Sequence, residues 1–151
     1  MNENLYSLVY CSRIRIPGSD EQIKAELESI LASSRKNNPA IGVTGALIYN
    51  GAHFAQVLEG PLHSVERIFE IIQRDSRHSE VRVIQSGAIS QRNFSDWSMA
   101  FAGSNETEKM PLATEAFAAV FSNGAGAGEK MLNTLKGLVV RENDWVLLDT
   151  A

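Results

Sequence analysis

The chain has 151 residues, 44% of them hydrophobic and 21% charged, an ordinary globular mixture that suffices for one domain with a real core and not for two. A single cysteine, Cys11, excludes an internal disulfide framework and any multi-cysteine metal or iron–sulfur site, and it fits a reducing compartment. Fourteen Lys and Arg against eighteen Asp and Glu leave a net charge of −4 with no basic run, and no window approaches the roughly 20 apolar residues of a membrane span, so a cytoplasmic protein without nucleic-acid or membrane partners is expected.

In chain order, Leu5 to Cys11 (LYSLVYC) is aromatic and β-branched, and reads as a buried first strand followed by a loop with Pro17 and Gly18. Ser19 and Gln22 have the spacing of a capping box. Ile23, Leu27, Ile30, Leu31 and Ser34 then recur on one helical face. Pro39 disfavours α geometry at Asn38, so this helix should stop near Asn37 and leave Asn38 at its C-terminal mouth. Ile41 to Tyr49 and His53 to Leu58 flank Asn50-Gly51, a dipeptide suited to positive φ, and form a predicted hairpin. Gly60-Pro61 opens a second helix with Pro61 in its first turn; Leu62, Val65, Ile68, Phe69 and Ile72 form its apolar stripe, and it ends near Asp75. Val81 to Ser86 reads as a fourth strand. Trp97 to Phe101 reads as a fifth, after a polar loop with Arg92 and Asn93.

Two helical crossovers around a direct hairpin predict an α+β, ferredoxin-like βαββαβ sandwich with an extra fifth strand. Past Asn105 the composition turns to Ala, Gly and Ser, and short helices are expected at Leu112 to Phe121 and Glu129 to Val140, joined by a flexible SNGAGAG. Their apolar positions Phe117, Val120, Phe121, Leu132, Leu135 and Leu138 need a partner surface, and the sheet face left bare by the first two helices is available. Trp145 to Leu148 could bury there too, or enter a subunit interface. The expected division is residues 1–104 as one domain and 105–151 as a helical extension.

Familiar catalytic patterns are missing. Cys11 has no neighbouring His, His53, His63 and His78 lack metal-pair spacing, and neither phosphate-loop pattern occurs. Polar groups at core positions stand out instead. By strand alternation Gln56 shares a face with Phe54 and Leu58, and Tyr10 shares one with Tyr6 and Leu8. A buried amide left unsatisfied costs about 1–3 kcal/mol, so Gln56, Tyr10 and Asn38 mark either a structural polar cluster or a site for a ligand with donors and acceptors on its edge.

The runs LVYCSR, SSRKNNP, GVTGALIYNGAHFAQVLEG, RDSRH and RNFSDWSM resemble, in order and spacing, the BLUF family of flavin-binding blue-light photoreceptors over residues 5–103. The resemblance implies a ferredoxin-like fold with a flavin, FAD with FMN or riboflavin as alternatives, between the two helices. It implies Tyr10 as the photoactive tyrosine and Gln56 as the switching glutamine. Asn38 would bond the ring edge, with Arg77 and His78 near its pyrimidine side, Ile30 and Ile72 sandwiching it, and Asn37 and Asp75 completing the binding set. Trp97 and Met99 would relay the signal to the C-terminal helices. A photosensory protein rather than an enzyme is implied, with a separate effector protein and a homo-oligomer as partners. A flavin-dependent redox enzyme stands as the alternative, and an acylphosphatase-type hydrolase using Arg13 and Arg15 of CSRIRIPGS as a weaker one.

Overall fold

A computed structural model describes residues 4–14, 18–51, 53–94, 100–103, 111–122 and 126–141. Five strands, β1 (Leu5–Ile14), β2 (Thr44–Tyr49), β3 (His53–Pro61), β4 (His78–Ile89) and β5 (Ala100–Gly103), form one sheet in the order β4-β1-β3-β2-β5. The first four pair antiparallel and β5 joins β2 in parallel. Helices α1 (Asp20–Asn37) and α2 (Leu62–Arg74) make the two crossovers, α3 (Pro111–Phe121) and α4 (Ala127–Arg141) follow, and the expected α+β, ferredoxin-like arrangement is present.

Local chemistry sets the element ends. Ser19 caps α1 as a full capping box, its hydroxyl accepting the Gln22 N–H at 3.3 Å while Gln22 Oε1 accepts the Ser19 N–H at 2.7 Å. At the far end, Pro39 to Ile41 form a tight 3-10 turn, and Gly42 bends the chain with φ 74° before β2 begins at Thr44. The predicted strand from Ile41 therefore starts three residues late, because the proline that ends the helix also starts a turn of its own. In the hairpin, positive φ falls on Gly51 (96°) and not on Asn50. Asn50 instead accepts the His53 N–H on its Oδ1 at 3.0 Å and pairs with the His53 carbonyl through its own N–H. Pro61 is the N-cap of α2 rather than a first-turn residue, and Leu62, placed on the apolar stripe, is exposed. The fourth strand is longer at both ends than Val81 to Ser86, and α4 starts two residues before Glu129.

Strand alternation divides the core in two. Leu8, Tyr10, Leu47, Tyr49, Phe54 and Leu58 face α1 and α2, where Leu27, Leu31 and Val65 meet them. Val9, Cys11, Ala46, Ile48, Ala55 and Val57 face the other way and pack with Phe94, Ala116, Phe117, Val120, Met131 and Leu135. The C-terminal helices thus cover the second sheet face. Leu132 is only partly buried; Phe121 is exposed, its ring tilted against His53 at a centroid distance of 4.6 Å and stacked parallel to Phe117 at 6.3 Å. The Leu138 side chain and Trp145 to Leu148 lie outside the described residues.

One edge of the sheet is irregular. The β1–β4 ladder slips between Val9 and Tyr10 and again between Cys11 and Arg13. Within the second slip Glu80 adopts φ 53°, and its carboxylate reaches Arg13 at 3.5 Å on the exposed surface. Among the described residues, no helix is long and apolar enough to cross a membrane.

Candidate functional site

A cleft of about 770 Å³, including its open mouth, lies between α1 and α2 above the sheet. Its floor is Tyr10, Leu47, Phe54 and Gln56. One wall is Ile30, Ser33, Ser34 and Asn37 of α1, and the other is Ile68, Ile71 and Ile72 of α2, followed by Asp75. Each wall has the i, i+3, i+4, i+7 spacing of a helical stripe lying beside the stripe that packs the core. The α2 wall is aliphatic and the α1 wall mostly small and polar, so a flat, amphipathic molecule fits between them.

Strand pairing assembles the floor. Tyr10 of β1 stands opposite Gln56 of β3, and Gln56 stands opposite Leu47 of β2 on its other side. The side chains of Tyr10 and Gln56 are buried, and the phenol O–H donates a hydrogen bond to Gln56 Oε1. The Phe69 ring leans on Tyr10 at 5.5 Å. Burial, reinforced by the negative charge of Asp75, raises the Tyr10 phenol far above its ordinary pKa, so it is held protonated. Asn38 is buried where α1 meets the 3-10 turn, and its side chain lines the same cleft.

Charge closes one end. The Asp75 carboxylate accepts the Arg77 backbone N–H at 2.9 Å and the guanidinium through Nε at 2.9 and 3.0 Å and Nη2 at 2.5 Å. Arg77 Nη1 reaches Glu26 Oε2 of α1 at 3.1 Å. One guanidinium thereby ties the C-terminal end of α2 to α1 beside the cleft, and the Asp75 hydrogen bonds raise its pKa further.

Eight residues singled out in the sequence line this one cleft: Tyr10, Gln56, Asn37, Asn38, Ile30, Ile72, Asp75 and Arg77. The His78 side chain, Trp97 and Met99 lie outside the described residues. Ser33, Leu47, Phe54, Ile68 and Ile71 also line it. Ile71, 60% exposed, carried a signal that stripe counting discards: an isoleucine just off the core face of an amphipathic helix. Arg13 of the hydrolase alternative is engaged with Glu80 at the surface. Cys11 points to the opposite sheet face, where burial raises its thiol pKa and makes it a packing residue.

Comparison with known proteins gives the arrangement a family. A family model described as BLUF, sensors of blue-light using FAD, matches residues 5–100. The chain is 39% identical over 77 residues to the blue light- and temperature-regulated antirepressor BluF of Escherichia coli K12, covering 51% of this chain and 18% of that protein. It spans less than a fifth of the length of each curated relative it matches. Among solved structures, BlrB, a BLUF protein in its dark state, superposes with a TM-score of 0.73 at 31% identity, covering 92% of this chain and 97% of that one. BlsA in its photo-activated state gives 0.71 at 29% identity, covering 87% and 94%. A cleft with a buried phenol–amide pair on its floor, in a chain matched along this length, places the protein in the BLUF family of blue-light sensors.

Proposed function

We propose that the cleft holds FAD by its ring and that Tyr10 and Gln56 convert light absorption into a change of hydrogen bonding. The buried Tyr10–Gln56 hydrogen bond on the cleft floor carries this reading. Bound there, a flavin supplies blue-light absorption and an excited state able to oxidise a phenol in contact with it. Tyr10 is the electron and proton donor: its phenol is protonated, shielded from water and already directed at Gln56. The Gln56 amide has a donor end and an acceptor end, so its rotation or tautomerisation exchanges which group faces Tyr10 and which faces the ring. Asn38 and Asn37 would hold the ring edge, Ile30 and Ile72 would lie on either side of it, and Arg77 and Asp75 would face its pyrimidine side, all from positions that line the cleft.

Each exchanged hydrogen bond is worth about 1 kcal/mol net, so the responding element must be nearly balanced between two states. Residues 1–104 act as the sensor and 105–151 as the output, reached through Trp97 and Met99. The signal then passes to a separate effector protein, with self-association of the chain as part of the device and no enzymatic turnover of its own. The free, buried Cys11 supports a reducing, cytoplasmic setting.

Purified from a flavin-replete preparation, the protein is expected to be yellow, and blue light to shift its flavin band to the red with slow dark recovery. A colourless protein overturns the reading. Tyr10→Phe and Gln56→Leu should keep the flavin and lose the red-shifted state, whereas an unchanged photocycle in either variant removes its assigned role. The ratio of FAD to FMN and riboflavin in extracted cofactor decides which flavin is held.

A further inference from the structure

Glu59 is the one acidic residue among the buried polar side chains described, and it lies on β3 three residues beyond Gln56. The odd spacing sends it to the opposite face of the sheet from the cleft, the face covered by α3 and α4. Its carboxylate is fully buried and receives three N–H groups from one short segment. The Asn93 backbone N–H reaches Oε1 at 2.8 Å and Oε2 at 3.0 Å, the Asn93 side-chain Nδ2 reaches Oε2 at 2.7 Å, and the Phe94 N–H reaches Oε1 at 2.8 Å. Next to it, Arg92 Nη1 holds the Glu59 carbonyl at 3.1 Å and the Thr44 hydroxyl of β2 at 2.9 Å. The segment so gripped lies between β4 and β5. Its Phe94 ring is buried in the same apolar cluster as Ala116, Phe117 and Val120 of α3 and Met131 and Leu135 of α4.

A carboxylate without water needs this many donors to offset its lost hydration, and the resulting clasp is stiff because both oxygens are engaged. Displacement of β3 therefore cannot be absorbed between Glu59 and Phe94. We propose that Glu59 is a positioning residue that transmits movement of the Gln56 strand to Phe94, and through it to α3 and α4. The proposal rests on the light-driven rearrangement of Gln56 described above. It assigns the output a route that leaves the cleft through the strand itself and enters the following chain at Phe94, ahead of Trp97 and Met99 in the sequence.

The test is hydrogen exchange of the full-length, flavin-loaded chain in the dark and under blue light, read in α3 and α4 alongside the flavin spectrum. Wild type should red-shift in the light and change exchange in both helices. Glu59→Gln keeps the shape but turns one acceptor into a donor facing the Asn93 and Phe94 N–H groups. It is expected to keep the red shift and lose the light-dependent change in exchange. Asn93→Ala removes only the side-chain donor, should leave the fold intact, and should reduce the change without abolishing it, which covers a Glu59→Gln chain that fails to fold. A wild type that does not red-shift overturns the photoreceptor reading itself. A red-shifting wild type with no exchange change in α3 and α4, or variants that red-shift with the full wild-type exchange change, overturns the role of Glu59.

Discussion

The two faces of one sheet solve opposite problems with the same strands. On the face covered by α3 and α4, Val9, Ala46, Ile48, Ala55 and Val57 are fully buried and the helices close over them. On the α1 and α2 face, Ile23, Ile30, Ile41, Ile68, Phe69 and Ile72 are only partly buried, and the polar side chains of Tyr10, Gln56 and Asn38 sit at the level of the core. One layer is filled for stability, and the other is left open between its helices for a ligand. Side-chain alternation lets neighbouring residues of a strand serve both.

Four substitutions sharpen that contrast. The largest effect is expected at Leu135, fully buried in the closed layer: Leu135→Ala should cost about 2–5 kcal/mol in denaturant unfolding and leave flavin affinity unchanged. A cost below ~1 kcal/mol would mean that α4 does not seal that face. Ile72→Ala, on the open side, should cost the flavin-free protein about 1 kcal/mol, because the side chain is only half-buried. It removes three carbons from the cleft wall, each worth about 0.8 kcal/mol when fully buried; a flavin would newly cover about half of that surface, so its affinity should fall roughly tenfold. Equal stability losses at Leu135 and Ile72, with unchanged flavin binding, would erase the distinction between the layers.

An effect confined to high pH concerns Tyr10. Burial raises its folded pKa, so the unfolded chain ionises first as pH rises through about 10, binds fewer protons than the native state, and gains. Stability should then fall by up to about 1.4 kcal/mol per pH unit, and Tyr10→Phe should flatten that limb. Cys11, whose thiol is also raised by burial, adds a separate limb from about pH 8.5 that Cys11→Ala removes. A Tyr10→Phe chain with the wild-type alkaline slope would show the phenol to be hydrated.

Much of the site is legible in the sequence because it depends on short-range periodicity. Alternation in LVYC and FAQVL suffices to aim Tyr10 and Gln56 inward; α1 ends at Asn37 as expected from Pro39, but Asn38 keeps α geometry (φ −62°, ψ −41°) instead of leaving it. The family resemblance implies the roles proposed for them, which periodicity alone left open between a structural cluster and a ligand site. Glu59 is different. Its partners Asn93 and Phe94 are 34 and 35 residues away, and nothing in VLEGP distinguishes a buried carboxylate from a solvated one at a strand end. The cleft walls were also partly hidden, because a stripe predicted to meet the sheet says nothing of how far apart two helices stand.

The irregular β4 edge has a consequence for how copies of the chain meet. Among the described strands β5 covers the β2 side of the sheet, and β4 is left with an outward row of backbone donors and acceptors along its twelve residues. A straight strand of that length would invite another chain to extend the sheet. Two slips of register and the left-handed Glu80, with charged Arg82 alongside, break its hydrogen-bonding repeat. Among the described residues, that edge is thus a poor template for an added strand.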